Sequence, residues 1–211
     1  MLFEGRVGSE SLQKGAVKEA RLDRSGAVVT ADGHGRYAEV VLNGSVYTAS
    51  NIGAQAVSVA LATVYTGLCI SNPIGSGKNL VMLAGQYALS VAPAAIASLH
   101  LIAGGSSTGV ITHTTALAAP GIQRARIGTG AGVASSSVGS VANADSAATV
   151  VNPYYLCGLG SGFTAAALYA TTPLQIDFGG MFVVEPGGWI AWGALTAVTG
   201  FGSFVWEEVE T

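Results

Sequence analysis

The residues of this chain that can do chemistry are few and poorly spaced for it. Gly75-Ser76-Gly77-Lys78-Asn79 has the outline of a phosphate-binding loop. Such a loop needs GxxxxGK followed by Ser or Thr, whose hydroxyl binds the metal, with a helix N-terminus behind it. Here Asn72 stands where the first glycine belongs, Asn79 holds the hydroxyl position, and a strand-like run follows. The segment is expected to be a sharp corner rather than a nucleotide site. His34, His100 and His113 show no HxH or HxxxH spacing, so no metal set is expected. His100 lies in an apolar stretch and reads as a core or interface histidine. Between Asn43 and Trp206 the only carboxylates are Asp145, Asp177 and Glu185. A glycosidase needs two that face each other across a cleft. Asp177 and Glu185 flank an expected hairpin and can approach, but the phrase Ile-Asp-Phe-Gly-Gly suits a turn hydrogen bond from Asp177 better. There is no GxSxG elbow. Cys69 and Cys157 match neither CxxC nor a zinc spacing and read as buried free thiols, which suits folding in a cytosol. No catalytic, cofactor-binding or metal residue is expected, and the chain is not expected to be an enzyme.

What must position these residues is a body almost without charge. From Asn43 to Trp206 the charged side chains are Lys78, Arg124, Arg126, Asp145, Asp177 and Glu185 alone. A soluble segment of that length ordinarily carries roughly forty. Its surface must be covered by Ser, Thr, Gly and Ala, or by other copies of the chain. Residues 1–42 are the reverse, with six basic and six acidic side chains. They form either a solvated N-terminal segment or an extended arm that orders on a partner. Met1–Glu10 carries Glu4, Arg6 and Glu10 and no apolar run, so no secretory signal is expected. A net charge of −3 leaves no electrostatic footprint for nucleic acid. Val81–Ala103 is uncharged, but Gln86, Pro93, Ser98 and His100 break it into short blocks, so no membrane span is expected.

Thirty glycines in 211 residues point to many corners and few helices. Strand-like runs are expected at 39–42, joined through Asn43-Gly44 to 45–49, and at 56–61, 66–70, 79–83, 98–102, 109–113 and 122–127. In the last of these Arg124 and Arg126 share a face. Residues 128–146 read as a long exposed loop or tip, and strand returns at 149–156. The last block is the clearest: 174–178, 181–185, 189–195 and 202–208, with Gly179-Gly180 and Pro186-Gly187-Gly188 as turns and Gly200 and Gly202 flanking the last corner. The Ala-rich runs 92–102 and 164–171 permit one short helix each. The expected fold is all-β, an antiparallel β-sandwich or jelly roll (43–211) behind a charged extended N-terminal arm (1–42).

Trp189, Trp192 and Trp206 gather in the last quarter with Phe201 and Phe204. Alternation puts Trp189 and Trp192 on opposite faces of one strand, so both faces want burial. Either the strand is buried on both sides within one sandwich, or Trp189, Trp192, Phe204 and Trp206 meet a neighbouring subunit. Glu207, Glu208 and Glu210 either keep an edge soluble or pair with a basic partner.

Several phrases resemble structural proteins of tailed bacteriophages: Gly44–Asn51, Ser71–Leu80, Pro186–Trp189, Gly200–Ser203 and Val205–Glu208. The resemblance covers residues 44–208 and rests on turns and packing residues. It implies a virion protein built as a trimeric β-sandwich, of the capsid cement or decoration type, assembled in the host cytoplasm and located on the capsid surface. Its partners would be other copies of itself and the major capsid protein, the latter contacted through Arg6, Lys14, Lys18, Arg21 and Arg24. The alternative is a head-fibre or tail-associated module contacting the host surface, with 128–146 as its tip.

Overall fold

Short apolar and β-branched runs cut by Gly, Pro and Asn become strands joined at corners, because the cuts supply the φ values that strands cannot. The computed structural model describes residues 36–211 except 94, 96, 110, 119–120, 128–138 and 164–173. It begins with one short helix, α1 (Ala38–Asn43), then β1 (Val46–Ser50), β2 (Gln55–Val57), β3 (Val64–Ser71), β4 (Lys78–Leu89) and β5 (Ala97–Gly105). There follow β6 (Thr112–Ala116), β7 (Ile122–Arg124), β8 (Asn143–Thr149), β9 (Tyr154–Phe163), β10 (Leu174–Val184), β11 (Gly188–Ala194) and β12 (Val198–Glu210). Val40–Thr211 makes one compact unit.

One sheet runs β10-β4-β12-β1-β7, with β2 also paired to β12, and the other runs β6-β8-β3-β11-β5-β9. The pairings between named strands are antiparallel. If β1, β3, β4, β5, β9, β10, β11 and β12 are counted one to eight, the sheets contain 1-8-3-6 and 2-7-4-5. That is jelly-roll order, two Greek keys folded face to face, so the expected β-sandwich is the fold. The segment between β5 and β9 adds β7 beyond β1 and β6 and β8 beyond β3. It therefore extends both sheets on the same side, while on the other side β10 and β9 are the last strands among the described residues.

The core joins the sheets through aromatic rings. Trp192 on β11 stacks on Phe204 of β12 at 5.0 Å and 12°, and lies 5.5 Å from Tyr87 of β4. Gly85 and Gly202 make room for it. A Cβ on Gly202 would come within 2.7 Å of the indole, and one on Gly85 within 3.1 Å. Glycine is used here for close approach of sheet and ring rather than for a turn.

Several local expectations hold. Gly188 N–H bonds to Glu185 O at 2.8 Å and Gly187 has φ +88°, a type II turn with Pro186 at its first corner. Asp177 accepts the Gly179 N–H at 2.9 Å, the turn bond its surroundings suggested. Gly75 and Gly77, at φ +79° and +71°, bend the 72–77 corner between β3 and β4.

Others are corrected. Residues 39–42 are helical, not a strand, and Asn43-Gly44 ends α1 instead of turning a hairpin. Gly44 takes φ +79° while the amides of Gly44 and Ser45 bond back to the carbonyls of Val41 and Val40. An Asn-Gly pair supplies positive φ equally well to a helix cap and to a hairpin. Gly179-Gly180 is a bulge within the single strand β10, where the pairing to β4 shifts register. Gly200 and Gly202 lie inside β12 and flank no corner. Residues 97–102 are strand, 149–156 is a strand end, a bend and a strand start, and Arg126 falls beyond β7. The strand β8 lies in the stretch expected to be a loop, because Asn143–Thr149 has none of the large apolar residues that mark alternation. The segments 1–35 and 164–171 lie outside the described residues.

Candidate assembly surface

The four aromatic residues expected at a subunit interface are not on the surface. Trp189, Trp192, Phe204 and Trp206 are each at most 1% exposed within their own chain. Trp192 and Phe204 face each other between the sheets, and Trp206 stacks on Tyr47 at 6.3 Å. Trp189 donates its indole N–H to Val151 O at 2.8 Å, from the segment that follows β8. Of the two alternatives for β11, burial on both sides within one sandwich is what occurs, which leaves none of these four side chains on the surface for a neighbouring subunit to meet. Arg6, Lys14, Lys18, Arg21 and Arg24 lie outside the described residues.

The few charges of the body are largely occupied by the chain itself. Glu208 is buried. It accepts the Ser140 hydroxyl at 2.5 Å and the Val141 N–H at 2.9 Å through one oxygen, and faces Lys78 Nζ at 3.5 Å through the other. Lys78 also lies 3.9 Å from Glu210. The terminal acids therefore guard no edge, since β12 is interior to its sheet, and Glu208 has its basic partner within the chain. Lys78, the lysine of the loop that resembles a phosphate site, is held by these acids, and Asn72 Nδ2 secures the corner by donating to Lys78 O and Val184 O. Arg126 donates to Leu42 O at 3.3 Å.

With charge absent or tied down, large apolar side chains take its place on the surface. On β10, β4, β12 and β1 the outward positions include Val183 opposite Val81, Val205 opposite Ala84, and Phe201 opposite Ala88. Phe201 is 43% exposed, Val209 42%, Val183 49% and Met181 76%. On the open side, a groove of about 340 Å³ is lined by Tyr154, Leu156, Met181, Phe182 and Trp189 among others.

Among the described residues two histidine contacts have a catalytic look: Ser98 Oγ meets His100 Nε2 at 2.8 Å with no carboxylate bonded to the ring, and His113 Nδ1 meets Asp145 Oδ2 at 2.6 Å. With His113 Nδ1–H donating, its Nε2 faces the Asn143 amide at 3.4 Å. This second pair is the base and orienting acid of a catalytic triad, but no hydroxyl or thiol among the described residues bonds to His113 Nε2. A pocket of about 210 Å³ beside it is lined by Ser71, Asn72 and Asn143, yet Ser71 Oγ and Asn72 Oδ1 are sealed from solvent and make no hydrogen bond. No group of three or more metal-ligating side chains comes together among the described residues. Cys69 is buried as expected and Cys157 only half-buried, a partial correction, and burial raises both thiols above the usual range, which favours their protonated form. No described helix is long and apolar enough to cross a membrane.

Burial also pushes the Asp145 carboxyl above the usual aspartate range, with the His113 hydrogen bond and charge partly offsetting it. A carboxyl whose folded value is raised binds its proton more readily when folded. Its contribution to stability is complete below the unfolded value and is lost as pH rises through the folded one. Asp145→Asn keeps an oxygen for Nδ1–H without the charge. Relative to the native protein it should gain stability as pH rises from about 4 to 7, read as the difference in urea midpoints. A difference moving the other way would mean that His113 more than offsets burial.

Comparison with protein-family models, curated proteins and solved structures returns no match, so the fold and the surface carry the functional argument.

Proposed function

We propose that this protein is a structural component of a tailed-bacteriophage virion, a capsid cement or decoration protein that binds the head lattice as a trimer and stabilises it. The observation that carries the reading is the surface of the sandwich. Most of its few charges are held by its own residues, while large apolar side chains stand exposed on the long strands. We read large apolar side chains gathered on one sheet face as an interaction surface, and closed assemblies of identical subunits are the common way to cover one. The jelly roll adds a weaker argument. Viral capsid domains use it, but so do lectins and cupins, so the fold does not by itself select a role. In this reading the charged segment 1–42 reaches the major capsid protein, with Arg6, Lys14, Lys18, Arg21 and Arg24 making polar contacts on the shell. Neither nucleic acid nor membrane is a partner.

Two measurements test the proposal. Light scattering behind a sizing column should give a mass near three times the 21.1 kDa chain. Deleting residues 1–36 should leave that mass per chain count intact and abolish binding to expanded heads. Full occupancy by the truncated protein would remove the arm from the mechanism. On a gel of purified particles the band should be comparable with that of the major capsid protein, whereas a faint band would indicate a fibre or tail component.

A further inference from the structure

We infer that the outer face of the β10-β4-β12-β1 sheet is the self-association surface, packed in the assembly against a second copy of this chain. The inference deepens the assembly reading above and rests on it. The face is built by strict alternation. Along β12 the residues Phe204, Trp206 and Glu208 point inward and are buried, which turns Phe201, Ser203, Val205, Glu207 and Val209 outward. Register continues the face onto the neighbours: Phe201 pairs with Ala88, Ser203 with Gln86, Val205 with Ala84 and Thr48, and Glu207 with Val81, while Val46, also opposite Glu207, is covered by its own chain and marks where the open face stops. On β10, Val183 stands beside Val81 and Gln175 beside Gln86.

Three properties select a second copy as the occupant. The first is area. Strands of eleven, twelve and thirteen residues, with the five of β1, make a face of roughly 600 Å² in plan at about 4.8 Å between strands and about 3.3 Å per residue. A corrugated face has more accessible surface than its plan, so this approaches the about 800 Å² per partner of a standard-size interface. The second is charge. Asp177 and Glu207 are the only charged residues at these outward positions, and no cation stands among them, so the face has nothing to offer a nucleic acid. The third is the kind of polar group. The uncharged polar side chains on the face include the amides of Gln86 and Gln175 and the hydroxyls of Ser50 and Ser203, all of which both donate and accept. Around a threefold axis the contact is heterologous, so each can bond a different one of these groups on the next copy, while the valines and Phe201 supply the apolar contact.

The test is the oligomer mass of the full chain and of three variants. Phe201→Lys and Val183→Lys place an ammonium on the face at positions exposed enough to be tolerated in a free subunit. Ile127→Lys, at a residue 97% exposed and outside the face, is the control. The expected result is a multimer for the native chain and the control, and at least ten-fold weaker association for both face variants. If all four remain multimers alike, the face is wrong and the assembly reading stands. If the native chain is itself a monomer, both fall. Hydroxyl-radical footprinting of the native protein needs no variant and covers the case in which a substitution unfolds the chain. Phe201 should be protected at concentrations where the multimer forms and oxidised on dilution. Equal oxidation at both concentrations, with the mass changing, would overturn the inference.

Discussion

Replacing Trp192 with alanine should lower the unfolding free energy by about 3–5 kcal/mol, the range for deleting a fully buried tryptophan. The residue is completely inaccessible and is the point at which the two sheets meet: it stacks on Phe204 at 5.0 Å and touches Tyr87 at 5.5 Å. Its indole N–H meets no acceptor, so truncation removes packing and no hydrogen bond of the ring. The backbone contact is separate. Tyr65 donates its hydroxyl to the Trp192 carbonyl at 2.6 Å, and that bond survives the substitution. The site is also poorly able to collapse. Gly85 and Gly202 contribute no side chain to fill the hole, and they lie on β4 and β12, long strands paired to each other along most of their length. Urea unfolding followed by far-ultraviolet circular dichroism measures the loss. A change below about 1.5 kcal/mol, the scale of a mild core truncation, would mean that the sheets close over the gap and that Trp192 is not the chief contact between them.

Glu208→Ala should cost about 2–4 kcal/mol by a different mechanism. Removing the carboxylate strands three donors at once: the Ser140 hydroxyl, the Val141 N–H and the Lys78 ammonium. Losing one partner of a buried charged network is worth about 3–5 kcal/mol, and Lys78, whose side chain is 27% exposed, recovers part of this by turning to water. The substitution also releases residues 140–141 from β12, so protection from hydrogen exchange at Val141 should fall more than protection along β4. Glu208→Gln separates the two contributions. It retains an oxygen for Ser140 and Val141 but turns an amide N–H₂ toward Lys78, so it should cost about half as much. If glutamine were as damaging as alanine, the ion pair rather than the two neutral donors would dominate. Because the carboxylate is buried, added salt should change the native stability little.

These two residues show where sequence reading stops. Trp192 is legible as buried from its strand, because alternation puts it opposite Trp189 and an apolar strand on both faces needs cover. Whether that cover is the other sheet or another molecule is not a property of the strand, and the choice fell to the facing sheet, where glycines leave space for a ring. Glu208 looks from its neighbours like a solvated acid near a terminus. Its partners lie 67, 68 and 130 residues away in the chain, and no local pattern pairs residues at such distances. His113 and Asp145, 32 apart, likewise share no local pattern and are joined only by the pairing of β6 with β8.

By itself the sequence determined whatever depends on a single φ or on composition: the all-β class, the Pro186-Gly187 turn, the 72–77 corner, the Asp177 turn bond and the near absence of charge from the body. These are local, since proline presets one φ, glycine permits another, and a count of charges does not depend on the fold. The tertiary structure decided what local preference leaves degenerate. Asn43-Gly44 became a helix cap and Gly179-Gly180 a bulge because positive φ serves either use and only the neighbouring strands choose. Asn143–Thr149 became a strand through its partners on β3 and β6, since small residues carry no alternation to announce one. The jelly-roll order and the outward face of Val81, Val183, Phe201 and Val205 arise from pairings between distant segments, where the hydrophobic effect sets how much surface must be covered and chain topology alone sets which surface remains.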